Sequence, residues 1–192
     1  MKIDVFSHVL PQKYLEATKP YGGMNISNYL CDMELRSAQV RSVDGLRQIL
    51  TVNAPEVLEQ APADKAKELA KLANDEVAGI LAQYPDCFPT AMATVYPGDI
   101  NAALTEIQRC VSEYGFRGVQ LTTTFQGKPL SDPMFFPLYE LMAELDLPID
   151  AIAQILKEAH PEKVISLLIE QQETVLSDEI SEKQEKLEKL RE

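Results

Sequence analysis

Three cysteines are too few and too widely spaced to indicate a disulfide framework. Cys31, Cys87 and Cys110 form no CxxC pair, so a cysteine zinc site is not indicated either. No run of about 18 uncharged apolar residues occurs, and an acidic Asp4 stands where a signal peptide would have its hydrophobic core. We therefore expect a soluble, unexported protein of the reducing cytoplasm, without a membrane partner.

Basic residues are also few relative to acidic residues. The chain has 18 basic residues against 30 acidic ones, a formal net charge of −12, and such a charge repels nucleic acid and anionic lipid. The sequence contains no GxSxG elbow, no P-loop and no GxGxxG turn. These absences argue against serine hydrolases, nucleotide hydrolases and dinucleotide-dependent oxidoreductases. Nucleic acid is not an expected partner.

What is present is a chain of 192 residues with 45% hydrophobic residues, enough for one sizeable core. Short apolar runs typical of buried strands alternate with stretches of helical spacing. The predicted strands lie at residues 2–10, 48–52, 88–95 and 119–123. The predicted helices lie at residues 27–43, 62–84, 100–114 and 133–145. A loop with Gly22 and Gly23 is expected between the first strand and the first helix.

Strands that alternate with helices indicate parallel β/α units. We therefore predict an α/β fold, a partial (β/α) TIM-barrel-like parallel sheet of about four β/α units, over residues 1–149. From 151 onwards no glycine and no aromatic residue occurs, and this change predicts a helical C-terminal tail over residues 150–192. A complete eight-unit barrel takes roughly 250 residues, so four units are half of one.

Reactive groups in parallel β/α folds gather where the strands end. On the first predicted strand, Asp4, Phe6 and His8 alternate onto one face, which places His8 near the mouth of the barrel. Uncharged polar side chains lie at the ends of the other predicted strands or directly after them. They are Asn53, Thr94, Tyr96, Thr122, Thr123 and Thr124.

Of these polar residues, Asn53, Thr94 and Thr122 are the candidate substrate-binding residues, because their side chains hydrogen-bond carboxylates. Threonine is also an ordinary strand former and turn partner, so a purely structural role stays open for each.

Several stretches of residues 1–149, in this order and spacing, carry a family resemblance. They are Ile3-Asp4-Val5-Phe6-Ser7-His8-Val9-Leu10-Pro11, Asn74-Asp75-Glu76, Tyr84-Pro85-Asp86-Cys87-Phe88, Gly115-Phe116-Arg117-Gly118-Val119-Gln120-Leu121, Pro129-Leu130-Ser131-Asp132-Pro133, Phe135-Phe136-Pro137-Leu138-Tyr139 and Leu147-Pro148-Ile149. The chain resembles the N-terminal part of the metal-dependent amidohydrolase superfamily, in the branch of aminocarboxymuconate semialdehyde decarboxylase and related aromatic-acid decarboxylases. The resemblance implies an eight-fold β/α barrel with a divalent metal, usually zinc, and a small carboxylated substrate.

The resemblance also implies a set of metal ligands: an HxH pair on strand one, a histidine from strand five and an aspartate from strand eight. Phe6 stands at the first of these positions, and a phenyl ring has no lone pair for a metal. Only His8 carries over as a metal ligand. His160, the second of two histidines, matches no ligand position and is expected at a helix end or on the surface. Arg36 and Arg117 match positions that are often basic in the family.

Two classes of function remain open. The first is a metal-dependent carboxy-lyase or hydrolase, in which a second copy or a complementing half-barrel chain supplies the missing ligands. The second is a non-catalytic half-barrel remnant, or an assembly protein, in which the tail covers an exposed edge. Phe6 and the missing ligands favour a chain that is weakly active or inactive alone.

Overall fold

The structure is a computed structural model that describes residues 2–22, 30–53, 55–147 and 149–150. The predicted helical tail and His160 lie outside the described residues, except for Asp150, which is in a strand and not in a helix. The described chain contains seven strands and five α-helices. The strands are β1 (Lys2–Val9), β2 (Leu46–Val52), β3 (Ala93–Thr94), β4 (Val119–Gln120), β5 (Thr124–Phe125), β6 (Lys128–Pro129) and β7 (Ile149–Asp150). The helices are α1 (Gln12–Thr18), α2 (Met33–Arg41), α3 (Ala63–Gln83), α4 (Ile100–Tyr114) and α5 (Phe136–Glu144), with 3-10 turns at Lys19–Tyr21, Pro55–Glu59 and Pro133–Phe135.

Five of the seven described strands pair in parallel, and β5 and β6 pair antiparallel. β1 pairs with β2, and β3 pairs with β4, which pairs with β7. A single parallel bridge between Leu50 and Ala91 joins β2 to the chain just before β3. The predicted α/β class is therefore confirmed. Ile149 and Asp150, where the composition places the domain boundary, pair in parallel with β4.

The core lies between the strands and the helices that follow them. α3 presents a buried face at the spacing that its sequence predicts, and α4 does the same with a shorter face. The largest fully buried side chains come from strands, helices and the segments that connect them. They are Tyr14, Phe88, Phe116, Phe135, Leu50, Leu58, Ile107, Leu138, Met142, Val9, Val52 and Val77. None of the described helices has the length and apolar character that a membrane crossing needs.

A short helix, α1, occupies the region expected to be a loop. It begins after Pro11, and the Glu76 carboxylate accepts the backbone N–H of Tyr14 in its first turn at 2.8 Å. A carboxylate is favourable there because the first N–H groups of a helix have no partner within it. The sequence pattern missed α1 because this cap comes from a residue 62 positions away.

The helix predicted at 27–43 is shorter in the structure. Residues 23–29 are outside the described part, and α2 starts after Asp32, whose side chain accepts the backbone N–H of Leu35 at 2.9 Å. Asp32 thus caps the helix and fixes its beginning.

The third predicted strand, 88–95, is regular only at Ala93 and Thr94. Pro89 lies in its first half, and proline has no N–H to give to a neighbouring strand. Regular pairing therefore begins only after it.

The fourth predicted strand, 119–123, ends after two residues. The Thr122 hydroxyl donates to the carbonyl of Thr124 at 2.7 Å, and the chain then enters the β5–β6 hairpin. Gln126 and Gly127 form its tip with φ of +50° and +75°. Asn-Gly and Asp-Gly are the usual signals of such a two-residue turn, and Gln126-Gly127 shares only the glycine with them.

Candidate functional site

The site begins with a bulge in β1. Asp4 lies opposite Gln48, and His8 lies opposite Thr51, so Val5 and Phe6 together face a single residue of β2. A β-bulge of this kind places two residues against one and shifts the register beyond it.

The bulge corrects the expected row of Asp4, Phe6 and His8. The Phe6 and His8 rings do meet edge to face, with centroids 4.5 Å apart. The Asp4 carboxylate instead accepts the hydroxyl of Ser7 at 2.6 Å, although a regular strand would hold these two side chains on opposite faces.

Asp4 makes two further hydrogen bonds across the bulge. Its carboxylate accepts the Phe6 backbone N–H at 3.2 Å and the Gln48 amide at 3.0 Å. The bond from Ser7 is the main cause that holds the pKa of Asp4 below its ordinary value, against the opposing effect of partial burial. Asp4 is therefore an ionised acceptor at neutral pH.

Arg36 joins α2 to this part of β1. It is buried, its Nε donates to Gln48 Oε1 at 2.9 Å, and its Nη1 donates to the backbone carbonyl of His8. The basic residue that the sequence marked on the first long helix thus holds the backbone of the candidate ligand.

His8 itself is half-buried. A hydrogen bond of 2.8 Å joins its Nδ1 to the hydroxyl of Thr51, which is fully buried. Sequence reasoning missed Thr51, Gln48 and Gln120 as site residues. Their signal is a polar side chain inside a buried apolar strand, where it needs a partner.

Past the bridge between Leu50 and Ala91, side-chain amides make the hydrogen bonds that backbone pairing between β2 and β3 would otherwise make. Gln120 from β4 accepts the N–H of Val52 at 3.1 Å and donates to its carbonyl at 3.0 Å. Asn74 from α3 binds Thr94 in the same way, with both hydrogen bonds at 2.9 Å. Both amides are buried. Their hydrogen bonds satisfy the backbone groups of Val52 and Thr94 that β2 and β3 do not exchange with each other.

The three predicted substrate-binding residues have different surroundings. The Thr94 hydroxyl is buried and has no hydrogen-bond partner within the described part of the chain. The Thr122 hydroxyl is used by its own turn. Asn53 directly follows β2, and its backbone N–H donates to the carbonyl of Val9 at 2.8 Å.

Two further residues that the sequence singled out, Tyr96 and Arg117, have structural contacts. Tyr96 is buried, and its ring lies 5.4 Å from that of Phe125 in an edge-to-face contact. Arg117 donates its backbone N–H to the carbonyl of Ala91 at 3.1 Å.

The described residues do not fit the metal that the resemblance implies. Among them, no three His, Cys, Asp or Glu side chains are placed to hold an ion. Phe6 offers no donor atom, the Asp4 carboxylate is bonded within the bulge, and His8 supplies a single imidazole. Protein zinc sites supply three or four ligands, so these residues alone make an incomplete set.

Comparison with known proteins decides the family. A family model described as amidohydrolase matches residues 48–178. The chain belongs to the amidohydrolase family. The match begins in β2 and runs past β7 into residues that the structure does not describe.

The relatives of this amidohydrolase chain include decarboxylases. It is 24% identical over 163 residues to the 2-amino-3-carboxymuconate-6-semialdehyde decarboxylase of Dictyostelium discoideum, covering 73% of this chain and 45% of the relative. It is 31% identical over 126 residues to the gamma-resorcylate decarboxylase of a Polaromonas species, covering 62% and 38%. The chain thus spans less than half the length of these relatives, and the resemblance seen in the sequence is confirmed.

Solved amidohydrolase structures give the same result for the fold. The 5-carboxyvanillate decarboxylase of Novosphingobium aromaticivorans, solved with manganese, superposes with a TM-score of 0.67 at 25% identity, covering 78% of this chain and 49% of that one. A 2,6-dihydroxybenzoate decarboxylase bound to 2,6-dihydroxybenzoate gives 0.64 at 28% identity, covering 77% and 49%. The amidohydrolase chain therefore matches about half of each of these folds.

Proposed function

We propose that the described residues form the N-terminal four β/α units of a TIM-barrel-type amidohydrolase. In this proposal their strand ends bind a small carboxylated compound, and they hold no catalytic metal by themselves. The contact between Phe6 and His8 carries the statement about the metal. Phe6 occupies the position that the family resemblance gives to the first metal ligand, and its ring lies 4.5 Å from the only imidazole among the described residues.

A divalent metal, zinc or the manganese found in relatives, then needs ligands from residues outside the described part or from a complementing chain. Without them the chain is weakly active or inactive as a cytoplasmic decarboxylase or hydrolase. A single neutral imidazole does not retain such an ion.

The metal content of the purified chain tests this proposal. We expect the wild type, loaded with Zn²⁺ or Mn²⁺ and desalted, to retain only trace metal, with His8→Ala indistinguishable from it. Near-stoichiometric metal that His8→Ala loses would overturn the proposal.

The carboxylated ligand is supported by the names of the relatives and by Thr94 at the end of β3, whose hydroxyl has no hydrogen-bond partner among the described residues. Titration with 2,6-dihydroxybenzoate, followed by NMR, is the test, and resorcinol is the matched control without a carboxylate. We expect the acid to bind, resorcinol to bind at least tenfold more weakly, and Thr94→Val to weaken binding of the acid. Equal binding of both compounds, or of neither, would contradict the proposed ligand class.

The exposed edge of β1 favours a second candidate function, assembly with another copy of the chain. Among the described strands β1 pairs only with β2, and its Ile3, Val5 and Phe6 side chains are 49%, 54% and 45% exposed. An open strand edge with apolar side chains is prone to pair with another strand.

Sedimentation velocity over a range of protein concentrations tests assembly. Self-association is expected in the wild type and is expected to be lost in Val5→Lys, because a lysine on an edge opposes strand pairing. Val43→Lys is the matched control, since Val43 is also exposed but lies after α2. A wild type that stays monomeric at all concentrations would rule this role out.

A further inference from the structure

The bulge in β1 decides which residue of β2 faces His8. Before the bulge, Asp4 is opposite Gln48, and a regular strand would continue with His8 opposite Val52. The extra residue shifts this register by one, so His8 lies opposite Thr51. Only this register brings the imidazole Nδ1 and the Thr51 hydroxyl to 2.8 Å.

One set of hydrogen bonds spans the bulge, and we call it the bulge network: Asp4, Ser7, Gln48 and Arg36. Asp4 binds both the Phe6 N–H inside the bulge and the Ser7 hydroxyl beyond it. Gln48 connects Asp4 to Arg36, and Arg36 also binds the carbonyl of His8. The network therefore touches the chain on both sides of the residue that is inserted.

The orientation of the Gln48 amide is fixed by charge. Its NH₂ group points to the anionic Asp4, and its oxygen points to the cationic Arg36. Hydrogen bonds to charged groups are stronger than those between neutral groups, so the amide has one favourable orientation. A residue without both a donor and an acceptor cannot replace it.

We propose that the bulge network is a positioning device that holds the imidazole of His8 against Thr51, which makes Asp4, Gln48 and Arg36 positioning residues of the candidate site. The inference rests on the proposed function in so far as that function makes His8 a site residue. The network acts through the backbone of β1, because its bonds reach the N–H of Phe6 and the carbonyl of His8.

The imidazole resonances of the full, ligand-free chain test the proposal directly. The chain has two histidines, so long-range ¹H–¹⁵N spectra contain one signal set from His8 and one from His160, and a His160→Gln variant assigns them. Thr51→Val gives the reference position of His8 when its hydrogen bond is lost. We expect Gln48→Leu to move the His8 signals towards that reference.

Two further variants make the result specific. Gln48→Glu keeps the acceptor for Arg36 but places a second carboxylate against Asp4, so we expect it to move the His8 signals as well. Gln108→Leu changes an exposed glutamine of α4 and is the matched control, for which both histidines should match the wild type. Asp4→Asn is the second test variant if Gln48→Leu does not fold. It removes the charge that the Gln48 amide faces, and we expect it to move the His8 signals in the same direction.

Unchanged His8 signals in folded Gln48→Leu and Asp4→Asn would overturn the positioning role. This failure is distinct from failure of the proposed function, which is measured by ligand binding and metal content. If the His8 signals move but 2,6-dihydroxybenzoate does not bind, the ligand proposal fails alone. If it binds and the signals do not move, the positioning role fails alone.

Discussion

Single buried polar side chains determine the geometry of the candidate site. Asn74 and Gln120 each satisfy the N–H and the carbonyl of one residue on another element. Asn74 also donates to Glu106 at 2.8 Å, so it links β3 to α4. Thr94, whose backbone is held by Asn74, has a side-chain hydroxyl that is buried without a partner among the described residues.

Thr94 and Thr51 are fully buried strand threonines with opposite expected responses to valine. An unpaired buried hydroxyl costs roughly 1–3 kcal/mol, so Thr94→Val is expected to raise the free energy of unfolding by about 1–2 kcal/mol. Thr51→Val removes the bond to His8 and is expected to lower it by about 1 kcal/mol. Urea denaturation measures both variants. A loss of stability in Thr94→Val would show that its hydroxyl has a partner.

Asp86 gives the protein a pH-dependent contribution to stability. The Arg41 guanidinium binds both oxygens of the carboxylate, at 2.7 and 2.9 Å, and lowers the pKa of Asp86 from 3.8 to about 2. A lowered folded-state pKa stabilises the protein above the unfolded pKa, and this stabilisation is lost as the pH falls towards the folded value. The loss therefore falls between about pH 4 and pH 2.

Urea denaturation of Asp86→Asn at several pH values measures this contribution. The wild type is expected to lose more stability than the variant between about pH 4 and pH 2, by a small amount because both side chains are half exposed. Arg41→Gln should remove the same pH dependence. Parallel pH profiles for wild type and Asp86→Asn would contradict it.

At the scale of elements, the helices have well-defined ends and contacts. Asp99 caps α4 by accepting the N–H of Ala102, and Gly115 ends it with φ of +68°. Arg109 joins α4 to α3 by ion pairs with Glu106 on its own helix and with Asp75 on α3. The hydrogen bond to Glu106 is the largest cause that raises the pKa of Arg109. The cap at Asp99 and the end at Gly115 are local signals, and they explain why α4 follows the sequence pattern closely.

Gly115 and Gly79 form a matched pair of exposed glycines with opposite expected effects of alanine. Gly115 ends α4 in the left-handed region, where alanine is strained, so Gly115→Ala is expected to destabilise by about 1 kcal/mol. Gly79 lies inside α3, and an added Cβ meets nothing within 4 Å. Gly79→Ala is expected to stabilise by about 0.5–1 kcal/mol. Denaturation curves in which both variants shift in the same direction would contradict this prediction.

At the scale of the whole molecule, the described chain is about half of an amidohydrolase fold with a strong negative charge. The comparisons cover 49% of two solved decarboxylases, and the sequence carries a net charge of −12. Mutual repulsion of like charges destabilises a compact state, and salt screens it over a Debye length of about 10 Å at 0.1 M.

Salt is therefore expected to stabilise the protein. Raising NaCl from about 0.02 to 0.2 M should relieve repulsion of the order of 1 kcal/mol, which corresponds to an increase in Tm of about 2–4 °C for a chain of this size. Thermal unfolding followed by circular dichroism measures the shift. A Tm that falls with added NaCl would mean that surface ion pairs outweigh the net repulsion.

The sequence by itself determined the α/β class, the positions of α3 and α4 and the family. Those features depend on residue type, on short periodic spacing and on caps within a few residues. The tertiary structure alone decided the bulge, the pairing of His8 with Thr51 and the amide bonds of Asn74 and Gln120. Asp4 and Gln48 are 44 residues apart, and Val52 and Gln120 are 68 apart. Buried polar groups find such partners only when the fold brings distant strands together, so no local pattern records them.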